Sequence, residues 1–76
     1  MTYDLGQIDI IIGRNIRMLR KKKRVTQKDM ANILGVTYQQ IQKYENGCNR
    51  IAASRLYTLH QTLDVPYHAF FNNAGN

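Results

Sequence analysis

An all-α domain of five short helices is the fold class this sequence predicts, and three observations carry the prediction. Apolar residues recur three and four positions apart along most of the chain, the spacing of a helix that buries one face. Capping residues and glycines fall between those runs, where helices start and stop. No useful length of sequence alternates apolar and polar residues as a half-buried strand would. With 76 residues and a single cysteine, the chain has room for one core and no intramolecular disulfide to support it.

Residues 1–8 carry no strong pattern and read as a loosely ordered lead. Asp9 is a candidate N-cap, and after it Ile12, Ile16 and Leu19 recur at i, i+4 and i+7, which predicts a first helix over about 10–22. Thr26 followed by Asp29 is a capping-box variant that opens a second helix, 27–34, with Met30, Ala31 and Leu34 on its apolar face and Gly35 to stop it. Thr37 with Gln40 repeats the capping signal only two residues later, giving a third helix over 38–45 closed by Asn46-Gly47. After a connector at 48–52, Leu56, Leu59 and Leu63 mark a fourth helix over 53–63. Pro66 then opens a short fifth helix whose Tyr67, Phe70 and Phe71 form an apolar plug. Residues 72–76 read as a disordered tail, which leaves one domain over 9–71.

Eleven Lys and Arg against five Asp and Glu give a net charge of +6, which points to anionic partners. Eight of the cations (Arg14, Arg17, Arg20, Lys21, Lys22, Lys23, Arg24 and Lys28) lie within fifteen residues that contain no acid. Such a cluster at the end of the first helix has two readings, a solvated helix terminus that complements the dipole or a nucleic-acid contact. The longest aliphatic run, Ile10 to Ile12, is far below the roughly 20 residues of a membrane span. The N-terminus lacks the basic and apolar regions of a secretory signal, so a cytoplasmic location is expected.

Two short helices joined by three residues around a glycine make a tight corner. Counting Gln27 as position 1, small Ala31 at position 5 allows a close crossing and Gly35 at 9 turns the chain. Val36, Ile41 and Tyr44 at positions 10, 15 and 18 bury the back of the second of the two helices. This is the geometry of a helix-turn-helix, over about 26–45. With Ile41 facing the core and about 100° per residue, Tyr44 and Thr37 turn inward, while Gln39, Lys43 and Asn46 lie about 140–160° away as an outward stripe. Tyr38 and Gln42 flank it. Glutamine can pair bidentately with adenine, lysine can donate to guanine, and tyrosine can touch a thymine methyl. Tyr38, Gln39, Gln42 and Lys43 are therefore the candidate base-reading residues. Glu45 sits only about 40° from the core direction, an unfavourable place for a carboxylate unless it is paired.

The segments IRMLR (16–20), VTQKDMANILGV (25–36), QKYENG (42–47) and RLYTLHQTLDVPYHAFF (55–71) resemble the Cro/CI-type, or XRE-type, helix-turn-helix domains of phage repressors and small bacterial transcription regulators. The resemblance implies a lambda-repressor-like domain that binds double-stranded DNA, as a homodimer on a near-palindromic operator, and that represses transcription. It also implies a phosphate contact for Gln27, which opens the second helix where free N–H groups favour an anion, and a partly buried ion pair between Arg20 and Glu45. Lys28 and Thr37 at the two helix starts, with Asn46, Asn49 and Arg50 after the third helix, complete the candidate phosphate contacts. Two residues depart from the family pattern. Ala52 stands where a capping Ser is common and Asp64 where Gly ends the fourth helix, which predicts a less stable C-terminal half.

No nucleophile–base pair, phosphate loop or metal-ligand cluster is visible, so neither enzymatic activity, a cofactor nor a small-molecule ligand is expected. His60 and His68 lack further ligands at metal spacing, and Cys48 reads as a tolerated small residue. A second class of function is a protein-interaction module, such as a bridging factor or an antitoxin, that would use Tyr67, Phe70 and Phe71. A third, a basic amphipathic helix over 10–24 lying on anionic membranes, leaves the capping boxes and the Gly35 corner unexplained.

Overall fold

The computed structural model describes residues 5–73, all of whose regular structure is helical. Four α-helices, α1 (Leu5–Lys22), α2 (Gln27–Leu34), α3 (Tyr38–Glu45) and α4 (Ala53–Leu63), precede a 3-10 helix, Tyr67–Phe71. The core gathers Ile16 and Leu19 of α1, Met30 of α2, Ile41 and Tyr44 of α3, Leu59 and Leu63 of α4, then Val65 and Phe70. Each α-helix contributes the apolar stripe its spacing requires.

Three expectations need correction. Asp9 is not an N-cap: α1 begins at Leu5, and Asp9 lies inside it with its carboxylate 3.1 Å from Arg50 Nε. The first helix therefore takes in residues 5–8, and the remainder of the expected lead, 1–4, lies outside the described residues. A reason is visible in the packing. The turn after α3 comes down on α1, so closely that a Cβ on Gly47 would stand 2.9 Å from Ile10 Cα. The last element is a 3-10 helix of five residues rather than an α-helix, with Pro66 as its N-cap at an extended ψ of 153°. Its plug is narrower than expected, because Phe70 is fully buried while Tyr67 and Phe71 are exposed. Within the expected tail, the Asn72 carbonyl accepts a 2.9 Å hydrogen bond from Asn15 Nδ2, and residues 74–76 lie outside the described residues.

The stops of α1 and α4 share one construction. Arg24 and Asp64 both take left-handed φ, 59° and 54°. Val25 N–H donates to Arg20 O at 3.0 Å, and Val65 N–H to His60 O at 3.2 Å, the long bond of a Schellman motif. The side chain four residues before each left-handed residue then meets the valine carbonyl. Arg20 Nη1 donates to Val25 O at 2.9 Å, and His60 Nδ1 approaches Val65 O. A carbonyl can only accept, so this contact assigns the His60 proton to Nδ1.

Candidate nucleic-acid interface

Two caps and one glycine set the corner between α2 and α3. Thr26 Oγ1 accepts from Asp29 N–H at 3.0 Å and Asp29 Oδ2 accepts from Thr26 N–H at 3.2 Å, a complete capping box. Gly35 ends α2 at φ 69°, and Val36 N–H donates back to Ala31 O at 3.0 Å. Thr37 then caps α3 by accepting from Gln40 N–H at 3.2 Å. Thr37 itself is exposed rather than turned inward, because an N-cap at φ −78° and ψ 158° lies off the helical wheel.

The buried side of α3 is Ile41, Tyr44 and Glu45. Glu45 is held from three directions. Arg20 Nε donates to its Oε2 at 2.6 Å, Arg20 Nη2 to its Oε1 at 3.1 Å, and Gln27 Nε2 to the same Oε1 at 3.0 Å. A planar guanidinium matches a carboxylate in this bidentate way, and Nη1 donates to Val25 O. The ion pair expected from the resemblance is thus present and buried, and it joins α1, the α1–α2 turn and α2 to the last turn of α3. Away from these three residues Tyr38, Gln39, Gln42 and Lys43 are all exposed. Fixing one face of so short a helix presents the other as a rigid row.

The structure separates the six candidate phosphate-contact residues into groups. Gln27 lies between two neighbouring concavities. The larger, about 640 Å³, is lined by residues that include Lys28 and Tyr38. The smaller includes Gln42 and Asn46. Asn46 accepts from Cys48 N–H at 2.9 Å and so shapes the turn after α3. Arg50 stands apart, its Nε on Asp9 but its side chain 66% exposed, which leaves the rest of the guanidinium open. Asn49 is half-buried beside it in the chain.

Sequence reasoning missed two structural contributors to this site. A Cβ at Gly13 would come within 2.2 Å of Tyr44 O, so α1 crosses α3 against a bare backbone. Asn15 is buried and donates to Phe70 O and Asn72 O, both at 2.9 Å. A glycine and an asparagine inside an amphipathic pattern are the only signals either leaves in the sequence.

Residues 13–76 match the family described as Helix-turn-helix domain, and the chain belongs to that family. It is 48% identical over 67 residues to an uncharacterized HTH-type transcriptional regulator of Sinorhizobium medicae, covering 88% of this chain and 48% of that protein. An uncharacterized transcriptional regulator in the ATPase CF(0) region of Rhodospirillum rubrum is 42% identical over 72 residues, covering 95% of this chain and 67% of the relative. Antitoxin PezA of Streptococcus pneumoniae is more distant, 33% identical over 57 residues and covering 75% and 36%. The chain spans about half the length of the first of these relatives. The fold is that of the restriction-modification controller protein C.AhdI from Aeromonas hydrophila, with a TM-score of 0.74 at 22% identity over 83% of this chain and 96% of that one.

Proposed function

We propose that the chain binds double-stranded DNA as a sequence-specific transcription regulator, with α3 in the major groove reading base edges through Tyr38, Gln39, Gln42 and Lys43. One observation carries this reading. The four side chains are exposed together on a helix whose other face is fixed by Ile41, Tyr44 and the Arg20–Glu45 pair. Gln27, Lys28, Thr37, Asn46, Asn49 and Arg50 grip phosphates around it. Two copies of the chain present two such helices about 34–36 Å apart to a near-palindromic operator, and occupancy represses transcription. The relatives named as transcriptional regulators support this reading.

The testing experiment is selection of bound sequences from a random duplex pool at two salt concentrations. A short palindromic motif with half-sites about one helical turn apart is the expected result. A second reading, an antitoxin-like module, is favoured by the likeness to Antitoxin PezA and by exposed Tyr57 and Tyr67. Salt-sensitive binding without any enriched motif would move that reading to first place.

A further inference from the structure

The two concavities beside α3 adjoin each other, because Arg17 and Gln27 line both. Arg14 adds to the smaller one, Lys21 and Arg24 to the larger. Arg14, Arg17 and Lys21 are three and four residues apart on α1, so they share one helix face and span about 10 Å along it. Arg24 extends the row past the helix end because its left-handed backbone, φ 59°, carries the chain round toward α2. The only acid lining either concavity is Glu45, whose charge is already matched by Arg20. Tyr38 lines the larger concavity together with Arg17, Lys21 and Arg24, so the row and the base-reading helix border one surface.

We propose that Arg14, Arg17, Lys21 and Arg24 form a rail for the phosphodiester backbone of duplex DNA, beyond the phosphates held around α3. This rests on the DNA-binding reading and extends its footprint. A strand carries one phosphate per 3.4 Å of duplex axis, so a row about 10 Å long that follows that axis is commensurate with about three successive phosphates. Lys22 and Lys23 belong to the same basic run but line neither concavity. The rail therefore separates cations that touch the backbone from neighbours that only contribute to the general positive field.

The experiment compares Arg17→Gln/Lys21→Gln with Lys22→Gln/Lys23→Gln, each removing two charges from exposed positions, on the duplex recovered by selection. The dependence of log binding constant on log salt is measured for each. The rail variant should flatten the slope by about 1.8, so that raising salt from 50 to 200 mM weakens it roughly tenfold less than the wild type, while its base preferences stay unchanged. The neighbouring variant should keep most of the wild-type slope. Neutral methylphosphonates at the flanking phosphates should weaken the wild type and weaken the rail variant, which keeps only Arg14 and Arg24 of the row, by less. Equal flattening by both variants, or a methylphosphonate effect as large in the rail variant as in the wild type, would overturn the rail while leaving base reading intact. Failure of the wild type to bind any duplex would instead remove the DNA-binding reading, and the rail with it.

Discussion

In the proposed interface Gln39 and Arg50 divide the work of reading and gripping at the scale of single residues. Gln39 is exposed on α3 and can exchange two hydrogen bonds with one adenine. Arg50, anchored through Nε on Asp9, offers its remaining donors to a phosphate. Gln39→Ala should relax preference at one base position by about 1–3 kcal/mol, whereas Arg50→Ala should weaken all sequences alike and reduce the salt slope by about 1. Titrations against the selected site and its single-base variants separate the two; identical behaviour would mean that reading and gripping are not divided this way. The Asp9 pair is too exposed on its arginine side to make Arg50→Ala a folding defect. Stability has its own residue-scale signature in α4. Ala52 caps that helix without a side-chain hydrogen bond, and Asp64 closes it in the left-handed region at φ 54°. Ala52→Ser should gain about 0.5–1 kcal/mol by satisfying an N-terminal N–H, and Asp64→Gly a similar amount by removing a strained Cβ. Both appear as higher denaturant midpoints with unchanged m-values, and a loss in either case would contradict the cap geometry.

Between elements, Arg20 is the joint that aims α3. Its guanidinium bonds Glu45 on α3 twice and Val25 in the turn before α2 once, and Gln27 on α2 completes the carboxylate's partners. Glu45→Gln would leave the guanidinium, 9% exposed in the present pair, without a counter-charge, at a cost of about 3–5 kcal/mol. The double change Arg20→Met/Glu45→Leu removes both charges and should be less damaging than either single change; additive losses in urea titrations would show that the pair is not coupled. Gly13→Ala tests the same crossing sterically. An added methyl favours an exposed helix by about 1 kcal/mol, but at 2.2 Å from Tyr44 O it should cost about 1–3 kcal/mol net and move α3. These elements also show what a sequence discloses. The bounds of α2, α3 and α4 were legible because caps, glycine and heptad-like spacing act within a few residues of each other. The start of α1 was not, since the turn at Gly47 packs against Ile10 from about forty residues away. Likewise the outward row on α3 follows from angles alone, whereas Arg14 and Arg17 join the site only through the crossing of α1 with α3.

For the molecule as a whole, the chain closes on itself through Asn15. Its amide nitrogen reaches two carbonyls, Phe70 O and Asn72 O, at 2.9 Å each, and so ties the middle of α1 to the end of the 3-10 helix. Phe70 beside it is fully buried in the core shared by all four α-helices. Among the described residues no buried side-chain nitrogen or oxygen lacks a hydrogen-bond partner, so this contact has no spare polar group to replace it. Asn15→Leu would bury a side chain of similar size that cannot donate, leaving the buried Phe70 carbonyl short of a partner at a cost of about 1–3 kcal/mol. In a domain of 76 residues that is a large fraction of a total stability of order 5 kcal/mol. Two outcomes are distinct. If the C-terminal segment is part of one cooperative unit, helix content and the tyrosine signal of the interior, dominated by buried Tyr44, should be lost together at a lowered midpoint. If the segment is instead an appendage, Asn15→Leu should leave the main transition in place and only expose Phe70 to solvent. The sharing of Ile16, Leu59 and Phe70 in a single core favours the first outcome, and with it an α3 whose aim depends on the far end of the chain.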